Sequence, residues 1–429
     1  MKKFEWNVYL IYVVALNILL MILRFSVLNP DTFTGNIFST VVFFIIVITL
    51  LILIFRKEYD YFILTWLSFY FAAPIIRLPF VSIGSLGLLN AIFIPIMIII
   101  LFNPKNKYYL LICALMIYSI INFADVPFRL IASRAFDFVA PLLFFYFVMK
   151  KCKNINLIIW GSIFVSLINM PLIVYEIIAH PIWGGSADWR GFRIFGNLFW
   201  HNSFSVYLLP SLLILYSSFR IKFSKGIFLL FVILLLADIF TFSRAGLLGL
   251  LVGISILEFI YKSGQKQTMK NIILVLLFIL MFVFYMFSGL EESRLGMNAI
   301  RERTGIWKSI IPLMHNLITG NGLGSYELYR GEVVYSLSPH NYYLGLIFEL
   351  GLIGLLIVGI FLYKMIKSFY NGLKDKKARA TAALALSIMI SLLICSFVGE
   401  AAFSQVVALN SWIILGCLMI KKDEESDKK

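Results

Sequence analysis

Charge is scarce in this chain. Of its 429 residues 14% are charged and 61% hydrophobic, with a mean hydropathy of +0.93, whereas an ordinary soluble domain is roughly half apolar and a quarter charged. That scarcity excludes a water-soluble globular fold. Strict alternation of apolar and polar residues is also missing: the 41 Phe and 21 Tyr belong to apolar runs that continue unbroken, which excludes a transmembrane barrel. The four cysteines, Cys113, Cys152, Cys395 and Cys417, lie far apart and form no CxxC pair, so no redox or metal motif is present. His180, His201 and His315 are too scattered to argue for a metal site, and neither metal nor cofactor is expected. The run after Met1-Lys2-Lys3 is too long for a signal h-region and has no small-residue cleavage pattern after it, so it reads as a first span. There is no internal repeat, low-complexity tract or soluble domain.

What the chain has instead is fourteen apolar segments, at about 8–28, 36–55, 59–76, 86–102, 108–123, 134–150, 155–178, 201–219, 226–242, 244–261, 271–289, 341–363, 380–398 and 401–420. They predict an all-α, polytopic helical membrane protein with about 12–14 transmembrane helices. The expected organisation is one integral membrane domain over 1–429, a long outer loop at 290–340 containing a short amphipathic helix, and a cytoplasmic tail at 421–429. The net charge of +15 would suggest nucleic acid in a soluble protein. Here it sorts by loop, and no nucleic-acid partner is expected. With both termini in the cytoplasm, every alternate loop is basic, from Lys2 and Lys3 through the Lys364 to Arg379 connection to the lysine-rich tail. The split at Ser243-Arg244, with no real loop, is kept because a single span over 226–261 would reverse that charge bias.

The same orientation separates the two basic residue types. Of 23 lysines all but Lys308 fall inside, while 11 of 14 arginines fall outside: Arg24, Arg77, Arg129, Arg134, Arg190, Arg193, Arg244, Arg294, Arg301, Arg303 and Arg330. Positive-inside sorting explains the lysines and not the arginines. A planar guanidinium suits bidentate binding of phosphate or carboxylate, so the outer cluster points to an anionic ligand. Lipid headgroups or nearby carboxylates are the alternative partners.

Several stretches carry candidate chemistry. In Gly184-Gly185-Ser186-Ala187-Asp188-Trp189-Arg190-Gly191-Phe192-Arg193, Trp189 can stack on sugar while Arg190 and Arg193 hold phosphate, with an interfacial aromatic belt as the alternative. Thr241-Phe242-Ser243-Arg244-Ala245-Gly246 puts Arg244 at the outer mouth of a span. Asp238, within the apolar segment before it, either pairs with Arg244 or orients it toward substrate. Ile306, Trp307, Ile310, Ile311 and Met314 mark one face of an amphipathic helix; Arg303 lies on that stripe, whereas Arg301 and Lys308 project elsewhere. Gly320-Asn321-Gly322-Leu323-Gly324 reads as a flexible turn and not a nucleotide loop, since no strand precedes it. His340 precedes a span with Ser338 and Pro339 as helix-start signals, where the helix N-terminus keeps an imidazole neutral and able to accept a proton. Glu349 and Glu400 are near membrane depth, each a base, a relay or a paired carboxylate.

In order, Gly196-Asn197 with Asn202, Phe242-Ser243-Arg244-Ala245-Gly246, Arg303-Thr304-Gly305-Ile306-Trp307, Gly320-Asn321-Gly322-Leu323-Gly324, and His340-Asn341-Tyr342-Tyr343-Leu344 followed by Glu349-Leu350-Gly351-Leu352-Ile353-Gly354 resemble the O-antigen polymerase and ligase superfamily of bacterial surface-polysaccharide enzymes. The likeness covers about residues 190–365; the amino-terminal third carries no motif and is expected to supply bundle and lipid-facing surface. The resemblance implies metal-independent, inverting glycosyl transfer on the outer face of the bacterial cytoplasmic membrane, from a glycan on undecaprenyl diphosphate. Arg244 and Arg303 would bind the diphosphate and His340 would take the acceptor proton. Arg190, Arg193, Arg301, Trp189, Asn341 and Asp238 would contact substrate. The expected partners are undecaprenyl-diphosphate-linked oligosaccharide and membrane lipids; a chain-length regulator is the further partner this reading allows. The leading expectation is a polymerase that extends a lipid-linked repeat unit. A ligase acting on lipid A core or another terminal acceptor is the alternative, and a lipid-linked oligosaccharide flippase or transporter is the second.

Overall fold

The computed structural model describes residues 33–72, 84–121, 126–168, 170, 201–241, 243–262, 297–329, 339, 341–398 and 405–427. The chain order is α1 (Phe33–Phe55), α2 (Tyr59–Ala72), α3 (Gly84–Ile100), α4 (Lys107–Ile121), α5 (Phe128–Lys151), α6 (Ile155–Ile168) and α7 (His201–Ile221). It continues with α8 (Lys225–Phe240), α9 (Arg244–Lys262), α10 (Met297–Ile310), α11 (Tyr326–Tyr329), α12 (Tyr342–Gly372), α13 (Arg379–Val398) and α14 (Gln405–Asp427). The described residues contain no strand, and the protein is an all-α helical membrane protein. Ser203–Ile221, Tyr342–Gly372 and Arg379–Phe397 are long and apolar enough to cross a membrane, and shorter apolar helices such as Thr40–Phe55 and Ala245–Tyr261 accompany them. Twelve of the fourteen expected apolar segments coincide with described helices. The segments at 8–28 and 271–289 lie outside the described residues.

Two kinds of packing hold the bundle. Large aromatics fill the amino-terminal half, where Trp66 contacts Phe62, Phe93 and Phe144 with ring centroids 4.9 to 5.6 Å apart. Small residues zip the carboxy-terminal half. Gly249 and Gly253 of α9 face Ser387, Ser391 and Cys395 of α13, with Ser387 Oγ donating to the Gly253 carbonyl at 2.7 Å. Without side chains between them the backbones approach closely enough for such bonds, a common device inside a bilayer.

The tight turn expected at Ser243 is present and reverses the chain. The start of α7 meets the end of α8, where Ser205 Oγ donates to the Asp238 carboxylate. The end of α7 meets the end of α9, where Arg220 Nε is 2.8 Å from Glu258 Oε1 and Tyr216 donates to the same oxygen at 2.8 Å. So α8 runs against α7 and α9 runs with it. Further contacts tie the basic connections together: Arg379 Nη2 donates to the Ile260 carbonyl at 2.8 Å, Lys422 Nζ to Ser368 Oγ at 2.7 Å, and Lys153 N to Asp60 Oδ1 at 2.9 Å. Arg56, Lys57, Lys150, Lys151, Lys153, Arg220, Lys222, Lys225, Lys262 and the Lys364–Arg379 connection thereby gather at one end of the bundle, the basic end. Helix α14 continues to Asp427, with Lys422 buried against Ser368 and Asp423 exposed.

Helix α12 is broken. Gly351 has φ 63° and ψ −166°, so the helix comprises two halves, Tyr342–Leu350 and Leu352–Gly372. Outward along the second half run Leu352, Leu356, Ile360, Tyr363, Lys367 and Tyr370, with Lys374 just past its end; Lys367 is stacked over Tyr363 and Lys374 over Tyr370 at 5.8 and 5.6 Å. This stripe passes from aliphatic to aromatic to basic, the order met on leaving a bilayer's hydrocarbon for its headgroups. Along the axes of the two halves, Tyr342 to Tyr363 rises about 31 Å at 1.5 Å per residue, one hydrocarbon thickness.

Candidate functional site

The end opposite the lysines is built from helix starts. Ser243 caps α9 by accepting from Gly246 N at 3.3 Å, while Thr241 Oγ1 donates to the Asp238 carbonyl at 2.6 Å and accepts from Ser243 N at 3.1 Å. This chain of bonds makes Arg244 the first residue of α9. Beneath it, Asp238 is 1% exposed and bonded to Ser205. Gly246 is the residue that fits there, because a Cβ would fall on the Ser205 hydroxyl. Neither sequence-based alternative for Asp238 included Ser205. The buried carboxylate anchors the turn carrying Arg244 from below.

Helix α10 presents the expected apolar face. Ile306 and Ile310 are buried against Tyr326 and Phe348, and Trp307 and Met314 pack on the same cluster. Arg303 is half-buried on that face and Lys308 is exposed. Ile311 departs from the expected stripe: it is 59% exposed, because α10 ends at Ile310 and the 3-10 turn Ile311–Leu313, with Pro312 in it, changes the phase. Trp307 Nε1 donates to the Pro339 carbonyl at 2.9 Å, which ties the helix carrying Arg303 to the residue immediately before His340.

The glycine-rich stretch is not the flexible, water-facing turn expected. Asn321, Gly322, Leu323, Gly324 and Ser325 are buried, and Gly320, Gly322 and Gly324 have φ of 77°, 96° and 81°, values that favour glycine. The stretch is wedged into the break of α12. Asn321 N and Gly322 N donate to the carbonyls of Phe348 and Glu349 at 2.8 and 3.0 Å, and Leu352 N and Ile353 N donate to those of Leu317 and Ile318 at 3.0 and 3.2 Å. Irregular backbone at membrane depth persists where its polar groups are satisfied in this way. The Asn321 side chain locks the wedge to the turn that follows α10, donating to Leu313 O at 2.6 Å and accepting from His315 N at 3.0 Å.

The amino-terminal third does more than supply surface. Tyr118 of α4 donates to the carbonyls of Thr319 and Leu350 at 2.9 and 3.1 Å, joining wedge and broken helix. Arg134, expected on the outer side at the start of a span, lies within α5, and its Nε is 3.3 Å from Glu349 Oε1. Glu349 is therefore a paired carboxylate, and the pairing is what allows both charges inside the bundle.

Helix α13 links the remaining starts. Cys395 Sγ donates to the Ala245 carbonyl at 3.1 Å, while Tyr343 donates to the Leu393 carbonyl at 3.0 Å and stacks on Phe397 at 4.5 Å. The residue after Arg244 and the first turn of α12 thus share one neighbour. Asn341, expected at the substrate, is the N-cap of α12, its Oδ1 accepting from Leu344 N at 3.0 Å. The helix starts at Tyr342, within one residue of the span expected at 341–363. Of Arg244 and Arg301 the backbone is described, on α9 and α10. His340, Trp189, Arg190, Arg193, Ser338 and Glu400 lie outside the described residues. Sequence reasoning missed Ser205 and Tyr118, and it counted Arg134 among the outer arginines without naming Glu349 as its partner. The one available signal was general, that a carboxylate in an apolar run requires a partner.

Buried small-residue packing and a membrane-length broken helix define an integral membrane protein. Residues 229–359 match the family model described as O-antigen ligase, a match that supports the resemblance to the O-antigen polymerase and ligase superfamily. The family is one of glycosyltransferase-like enzymes of surface-polysaccharide biosynthesis. No curated protein matches the chain. The matched stretch begins in α8 and ends in α12, so it contains Arg244, Arg303 and His340 and excludes Arg134 and Ser205.

Proposed function

We propose that this protein polymerises a surface polysaccharide by inverting, metal-independent glycosyl transfer from an undecaprenyl-diphosphate-linked glycan to a lipid-linked repeat unit, on the outer face of the bacterial cytoplasmic membrane. The observation that carries the reading is the bond from Trp307 to the Pro339 carbonyl. It supports a site in which the helix bearing Arg303 stands beside the chain bearing His340. Arg244, at the start of α9, is joined to the same end through α13.

The chemistry follows from charge. Departure of a diphosphate develops negative charge, which fixed guanidinium groups of Arg244 and Arg303 stabilise, and Arg190, Arg193 and Arg301 extend the same anionic contact. His340, which precedes the N-cap Asn341 in the chain, accepts the proton of the attacking hydroxyl. The level fits the substrate, because α12 places its first turn about one hydrocarbon thickness from Tyr363, where a polyprenyl diphosphate carries its phosphates. The basic end then faces the cytoplasm.

A second reading, transfer to lipid A core or another terminal acceptor, is favoured by the description of the matching family as O-antigen ligase. One reaction separates them, in which purified protein is given defined lipid-linked repeats with and without a terminal acceptor. Chain growth without that acceptor is the expected result. Transfer to the terminal acceptor alone overturns the polymerase, and no transfer at all overturns both.

A further inference from the structure

The Arg134–Glu349 pair has no part in the chemistry above, yet it occupies the pivot of α12. Glu349 is 1% exposed and two residues before Gly351; its carbonyl accepts from the wedge at Gly322, and its carboxylate meets Arg134 Nε at 3.3 Å. The other end of the same half-helix is held by the same partner, because Phe138 of α5, one turn after Arg134, stacks on Tyr342 at 5.7 Å. Helix α5 therefore grips Tyr342–Leu350 at both ends.

A buried ion pair is a poor device for stability alone, since two well-packed apolar side chains usually serve as well or better, while losing one partner leaves an unpaired charge. Its attested use is to fix register, and register is the quantity at stake here. The broken helix has no continuous hydrogen-bond ladder through Gly351 to define how its outer half is turned. Asn341 caps that half-helix, so a rotation of it would carry the preceding residue along.

We infer that Arg134 and Glu349 are positioning residues of the transfer site, setting the register of Tyr342–Leu350 and through it the aim of His340. The inference rests on the reading that His340 accepts the acceptor's proton. Its test is steady-state transfer by purified Arg134→Gln, Glu349→Gln and the double variant, with rates expressed per folded, monodisperse molecule. Each single variant lowers kcat on the order of 10²-fold, with KM for both lipid substrates within about twofold. The double variant, whose two neutral amides can bond each other, recovers about tenfold or more of that loss. An unchanged kcat, a loss expressed in KM for the donor, or a double variant no better than the singles overturns the inference. Where Arg134→Gln does not fold, Arg134→Lys carries the same comparison of kcat with KM. Wild-type protein that transfers nothing overturns the underlying reading. Wild-type transfer that persists in His340→Ala overturns the aiming role while leaving the transfer activity standing.

Discussion

Arg301 and Arg303 stand two residues apart on α10. Arg303 shares the face of Ile306 and Ile310, which are buried against Tyr326 and Phe348, and by the sequence period Arg301 is expected off that stripe. Arg303→Ala is expected to lower glycan transfer on the order of 10²- to 10³-fold, and Arg301→Ala by less than about tenfold, measured as polymer formed from defined donor. Arg244→Ala and His340→Ala are expected to abolish transfer and leave lipid-linked precursor on the outer leaflet; accumulation on the inner leaflet would mark a flippase. The faces of α10 were legible because periodicity is a local property of sequence. The partners of Asp238 and Glu349 were not. Period tells which side of a helix is buried but not which of several serines or arginines on distant helices will arrive there, as Ser205 and Arg134 do.

The break in α12 belongs to the scale of elements. A Cβ on Gly351 would strike the Ile318 carbonyl and the Gly320 amide, whereas one on Gly359 in the same helix would meet open space. Gly351→Ala is therefore expected to cost about 1–3 kcal/mol from its left-handed φ alone, with steric displacement of the wedge in addition. Gly359→Ala should instead be neutral or stabilising by about 0.5–1 kcal/mol. Thermal unfolding in detergent checks the pair, and equal effects would mean that the wedge does not occupy the break. The helices themselves were legible, since apolar runs of membrane length admit few other structures. The break was hidden inside an uninterrupted apolar run whose Gly345, Gly351, Gly354 and Gly359 look alike locally. What distinguishes Gly351 is the wedge arriving from residues 317–322, a tertiary fact.

Among the described residues, the lysine-bearing connections gather at one end of the bundle and the starts of α9 and α12 lie at the other. A single cysteine replacing Lys262 or Lys374 should react with a membrane-impermeant maleimide in inside-out vesicles only, and one replacing Lys308 in intact cells only. The reverse pattern would turn the molecule over and place the site in the cytoplasm. The distance from Tyr342 to Tyr363 has a consequence for the surrounding lipid. A helix interrupted at Gly351 can alter its angle there more readily than an unbroken rod, so hydrophobic mismatch should be absorbed at the joint beside Glu349 and not by tilting the entire bundle. Transfer rates in bilayers of graded acyl-chain length should peak near a hydrocarbon thickness of about 30 Å. Membrane thickness would then act on this protein as a mechanical input, delivered at Gly351 to the half-helix Tyr342–Leu350.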